Sequence, residues 1–199
     1  MNSITSALAG GALAALLAAT PGTSAAQNLS GSKAVNTSTQ FMDRTYHLGS
    51  FNQKNTAMWE FVPASETVDN WTSLLTVIDR PDAHSREELD RLAEGIMQNY
   101  QSHKGQILMA KTMVGKSGEP FNYMVVAFDQ PALRRYELSF AKVGLAQKNA
   151  YVMVYGVRII DPDYVGKAKA FLTQHSGEIG KALETAALPE ISSLPRKEF

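Results

Sequence analysis

The 199-residue chain contains no cysteine. That absence removes disulfides, cysteine-ligated zinc, thiol nucleophiles and any lipid anchor on cysteine, so stability must come from a packed core. An excess of one charge is also lacking: 19 basic side chains stand against 19 acidic ones, with no lysine or arginine run. Such a balance argues against nucleic acid or an anionic membrane as the main partner. Histidine is scarce, and His47, His84, His103 and His175 show no HxH or HxxxH spacing, so no metal site is expected.

Long apolar runs are scarce too. The one that stands out, Ala7 to Ala19, is followed by Thr20-Pro21-Gly22 and then Ser24-Ala25-Ala26, which fits the small-x-small rule of a secretory cleavage site. The reading is a signal peptide over 1–26 cut before Gln27, although Met1 to Ser6 offers no lysine or arginine. The run is shorter than the roughly 20 apolar residues a membrane span needs. A periplasmic or secreted protein with no membrane span in the mature chain is therefore expected. Residues 27–41 are rich in Ser, Thr, Asn and Gly and read as a flexible leader. One domain follows over 42–188, and beyond Pro189 the segment 189–199 reads as a loose tail. A mature chain of about 170 residues buries roughly 70% of its unfolded surface on folding, enough without staples.

Both tryptophans fall in one stretch, Met58 to Val77. Trp59 and Phe61 give a strand one aromatic face, and Pro63, which cannot donate to a ladder, ends it. Thr67 or Asp69 caps a turn that Trp71 packs down, and a further strand follows over Ser73–Asp79. Arg44–Phe51 and Thr56–Val62 are extended runs joined by a polar turn. The clearest helix is Ser85–Ser102, where Ser85 and Glu88 form a capping box and Leu89, Leu92, Ala93, Ile96, Met97 and Tyr100 make one apolar stripe. Four strands then follow, Gln106–Val114, Phe121–Asp129, Arg134–Val143 and Ala150–Ile160, with connections short enough for an antiparallel meander. Asp161-Pro162-Asp163 opens a last helix with Val165, Ala168, Leu172, Ile179 and Leu183 on one side, and Gly177 and Gly180 place a kink near Ser176. The class is α+β: one mostly antiparallel sheet of six or seven strands, with a central and a C-terminal helix packed on it.

This layout resembles the Mog1/PsbP-like fold of small bacterial envelope proteins. Trp59-Glu60-Phe61-Val62-Pro63 through Glu66-Thr67-Val68-Asp69-Asn70-Trp71-Thr72, with the later Tyr151-Val152-Met153-Val154-Tyr155, is similar to uncharacterised secreted proteins of that kind over about residues 42–188. The resemblance carries no catalytic residues. It implies a chaperone, assembly or accessory role and leaves the partner, a protein or a small ligand, unnamed.

Motifs with chemistry are missing. Gly-x-Ser-x-Gly is absent, and Gly115-Lys116-Ser117-Gly118 lacks the upstream glycine and following helix of a phosphate loop, so it reads as a turn. Glu87, Glu88, Asp90 and Glu94 cluster on the helix face opposite the stripe and read as solvated charge. Sequons stand at Asn28, Asn36 and Asn70. No catalytic residue, metal or cofactor is assigned. The binding candidates are Glu66, Asp69, Asn70 and Trp71, a polar rim around an aromatic. The alternative is an enzyme, hydrolase-like and based on carboxylates and histidine, whose groups meet only in the fold, with Glu60, Glu66, His47 and Arg158 the side chains to follow.

Overall fold

The computed structural model describes residues 38–52, 56–146 and 149–186. The segments read as a signal peptide (1–26) and as a loose tail (189–199), with the first part of the segment read as leader, lie outside the described residues. Eight strands form one sheet, β1 Ser38–Phe41, β2 Arg44–Asn52, β3 Met58–Pro63, β4 Ser73–Arg80, β5 Gln106–Val114, β6 Pro120–Gln130, β7 Arg135–Ala146 and β8 Asn149–Ile160. The two helices are α1 Arg86–Ser102 and α2 Tyr164–Thr185. The strand order is β1-β2-β3-β4-β8-β7-β6-β5, and every neighbouring pair is antiparallel.

The count exceeds the expected six or seven because β1 falls inside the segment read as leader. It pairs with β2 across Met42 and Asp43, both with positive φ (49° and 58°). Two left-handed residues in a two-residue loop are the geometry of a type I′ hairpin, usually signalled by Asn-Gly or Asp-Gly. Met-Asp carries no such signal. What holds the strand down is Phe41, buried in the aromatic core.

The helices lie on opposite faces. α1 starts at the expected capping box, with Glu88 N donating to Ser85 Oγ at 3.3 Å and Ser85 N to Glu88 Oε2 at 3.1 Å. Its stripe, Leu89, Leu92, Ala93, Ile96 and Tyr100, packs on Met124, Val126, Ala141, Val143, Val152 and Val154. Burying one such leucine or isoleucine contributes about 1.5–3 kcal/mol. The chain leaves α1 through Lys104 in the left-handed region (φ 67°) and not through Gly105. Glycine is needed at 105 for another reason: a β-carbon there would lie 2.8 Å from both the Phe128 ring and the Tyr100 carbonyl.

The other face is aromatic. Tyr46, Trp59, Phe61, Phe121, Tyr123, Phe140, Tyr151 and Tyr155 point to it, together with Ile179 and Leu183 of α2. Four strand positions separate β1 from β8, about 19 Å in a flat sheet at 4.7–4.9 Å per strand. Yet the rings of Phe41 and Tyr155 are 4.9 Å apart, so the sheet curls around this core. α2 runs as one helix from Tyr164 to Thr185, with no break near Ser176. Its backbone bonds survive the two glycines because the helix is held down on either side of Gly177, at Ala168 and at Ile179 and Leu183.

Candidate functional site

Glu66, Asp69, Asn70 and Trp71 occupy the β3–β4 loop, but they do not converge on one surface. Glu66 accepts from Thr72 N at 2.7 Å and Thr72 Oγ1 at 2.7 Å, and lies 3.5 Å from Arg44. Its carboxylate therefore ties the loop to β4 and β2. Asp69 and Asn70 are exposed at the tip, where Asn70 N donates to Thr67 O at 3.0 Å. Trp71 faces inward, 1% exposed, with its ring against Gly156 and the Arg158 guanidinium 4.0 Å from the ring centroid.

Nor do Glu60, Glu66, His47 and Arg158 meet. Glu60, on β3, accepts from Ser50 Oγ at 2.5 Å, and burial raises its pKa although the serine bond opposes the shift. Arg158, on β8, donates Nε to Glu137 Oε1 at 2.9 Å, and Arg135 Nε lies 3.1 Å from the same oxygen. Burial lowers the Arg158 pKa against the pull of Glu137. His47 stands on β2 opposite Val62. Each buried charge is committed to a structural partner. Among the described residues, no three histidine or acidic side chains gather as metal ligands, and no helix is long and apolar enough to cross a membrane.

Two other features are open. The first is β5, nine residues at the edge of the sheet, with no strand beyond it among the described residues. Its row is exposed almost throughout, including Leu108 (40%), Met109 (43%) and Val114 (62%). An exposed edge with unpaired N–H and C=O groups is a template for another strand, and here it is interrupted only by a bulge between Ile107 and Met109 and by the exposed Lys111, two of the devices by which proteins blunt an edge. Among the described residues the opposite edge, β1, has four residues, Ser38–Phe41.

The second feature is a trough beside β5. α2 crosses β7 and β8 and leaves the Met109, Lys111 and Met113 side of β5 uncovered. The gap between them, about 330 Å³, is lined by Met109, Met113, Val125 and Tyr123 below and by Gly177 and Gly180 above. Where those glycines stand the helix presents no side chain. Burial pushes the Tyr123 hydroxyl up to about 12, and that hydroxyl has no hydrogen-bond partner. A second, separate cleft of about 290 Å³, which has only Glu184 of its lining in common with the first, is bounded by Lys116, Ser117, Lys142 and Tyr151. Lys142 donates to Leu183 O at 3.0 Å and Glu184 O at 3.3 Å, closing the end of α2, and lies 4.9 Å from the Phe121 ring centroid. Burial lowers its pKa, with Glu184 opposing.

Sequence reasoning places Gln106–Val114 as a strand but gives no sign that it lies at an edge. The available signal is Ile107-Leu108-Met109 followed by Met113-Val114, apolar residues on both sides of a strand with little to cover them. No protein-family model matches the chain, and no curated protein sequence matches it.

Proposed function

We propose that this is an exported, non-catalytic accessory protein that binds an extended polypeptide segment by strand addition along β5. The observation that carries the reading is the nine-residue edge with exposed apolar side chains on both faces. Only another extended backbone complements a row of alternating N–H and C=O groups, and side chains of the added strand then rest on Met109 and Val114. The separation of Glu60, Glu66, His47 and Arg158, with Glu60, Glu66 and Arg158 each bonded to a structural partner, supports binding over catalysis. The signal-like segment at 1–26 and the resemblance to Mog1/PsbP-like envelope proteins support the exported, accessory role.

Site-specific photo-crosslinking in the native host tests it, with the crosslinker at Leu108 or, separately, at Asn70. The expected result is one discrete adduct from Leu108 that disappears on Met109→Lys, which replaces an apolar seat and sets a second charge beside Lys111 on the edge. An adduct from Asn70 alone would overturn the β5 assignment and give the loop rim the role. An adduct with a second copy of this chain would replace the partner by self-association.

A further inference from the structure

α2 ends beside the open edge of the sheet. Its C-terminal half faces β5 across the trough, and its last turn is held next to the turn between β5 and β6: Lys142 donates to Leu183 O and Glu184 O, and a β-carbon at Gly115 would lie 3.9 Å from Glu184 O. Ala186 lines the same cleft as Gly115 and Lys116. Beyond it the sequence reads Ala187-Leu188-Pro189-Glu190-Ile191-Ser192-Ser193-Leu194-Pro195. The Val114 end of β5 stands at that turn, so a segment leaving Ala186 and following the edge would run antiparallel to β5. The two prolines of this segment are in phase. Along an antiparallel strand the N–H and C=O of successive residues point to alternate sides, so Pro189 and Pro195, six positions apart, would set their missing donors on one side. The other side keeps complete N–H and C=O pairs at Glu190, Ser192 and Leu194. Proline is tolerated in a strand where its nitrogen faces away from the sheet, and an outer row so built resists a further strand. Ile191 and Leu194 fall on opposite faces of such a strand, one apolar side chain for each face of the edge.

We propose that residues 190–194 pair with the Val114 half of β5 in cis, as an added strand that a partner's segment must displace. The pairing rests on the reading of β5 as an edge that adds a strand, and it regulates that edge. A strand of five residues holds weakly by itself, but the short link 187–189 keeps it at an effective concentration on the order of millimolar. A free segment at lower concentration is therefore excluded unless it makes more of the edge. The nine residues of β5 allow that, because five paired positions leave the Gln106 end for an incoming chain to start on.

The experiment is amide hydrogen exchange on the full chain and on a chain ending at Ala186, with the synthetic peptide 187–199 as the probe in trans. The β5 amides that β6 leaves unbonded should exchange at least tenfold more slowly in the full chain, and the peptide should bind the shortened chain 1:1 and the full chain at least tenfold more weakly. Two proline variants of the full chain read the phase. Ser192→Pro removes a donor aimed at β5 and should give the fast exchange of the shortened chain; Ser193→Pro adds to the outer row of Pro189 and Pro195 and should leave the slow exchange in place. Equal exchange with and without the segment overturns the proposal, as does equal loss of protection in the two proline variants, which decide alone where the shortened chain does not fold. Protection that grows with protein concentration gives the edge to a second copy and overturns it too. The Leu108 crosslink separates the two readings: a partner adduct of equal yield from the full and shortened chains upholds strand addition and sinks the cis strand, while slow exchange with no partner adduct from either chain upholds the cis strand and removes the partner.

Discussion

The guanidinium of Arg158 lies 4.0 Å from the centroid of the Trp71 ring, so that the loop tryptophan lids a cation whose Nε is held by Glu137. Glu137 is fully buried, and the loop therefore shields an ion pair that water would otherwise reach. Removing one member of a buried pair costs about 3–5 kcal/mol, because the remaining charge is stranded. Arg158→Ala is expected near the lower end of that range, since Arg135 still contacts Glu137. Trp71→Ala should cost about 3–5 kcal/mol by loss of packing. Denaturant unfolding of both single variants and the double variant checks the coupling: the double should cost less than the sum.

Leu92→Ala and Ile96→Ala each remove a buried side chain of α1 from its seat on the sheet, at an expected cost of about 2–5 kcal/mol. A shift of the urea midpoint without a change in slope is the signature.

Glu60 gives a pH dependence of unusual sign. Its folded pKa is raised by burial above the ordinary carboxylate value of about 4.5, so the folded state binds the proton more tightly than the unfolded chain does. The favourable contribution is fully present below about pH 4.5 and is lost as pH rises through the folded pKa. Glu60→Gln keeps a partner for Ser50 and removes the charge. Melting temperatures across pH 4 to about 8 should show the variant losing this part of the slope and gaining stability at the neutral end.

Two glycines should answer alanine in opposite ways. Gly105→Ala drives a methyl into Phe128 and the Tyr100 carbonyl and should destabilise by about 1–3 kcal/mol. Gly177→Ala enters open space on a helix and should stabilise by about 1 kcal/mol. Thermal melts of the two variants decide both.

For export, N-terminal sequencing of protein recovered from the envelope or medium is expected to begin at Gln27. An intact Met1 would remove the basis for the exported role.

The elements whose chemistry is local were readable from sequence. Ser85 and Glu88 announce α1 because a capping box is written within four residues, and the 3.6-residue stripe that follows fixes its buried face. Alternation along Tyr136, Leu138 and Phe140 against Glu137 and Ser139 likewise marks β7, although its Glu137 faces a buried arginine and not solvent. β1 was hidden because its turn uses Met-Asp, and its stability comes from Phe41 reaching Tyr155 far along the chain. The edge position of β5 and the trough beside it depend on strand order and on where α2 crosses, neither of which any local window contains. Trp71 shows the opposite error of scale: a tryptophan beside Asp69 and Asn70 suggests a rim, while Gly156 and Arg158, more than eighty residues on, draw it inward.

The inequality of the two sheet edges limits what the molecule can build. Head-to-tail growth would require β5 of one copy to pair with β1 of the next, and β1 offers four residues against nine. A copy docked β5 to β5 would use up both long edges in a two-fold pair and leave none to extend from. Pairing of identical copies through β5 alone would therefore close after one addition, as a two-fold dimer.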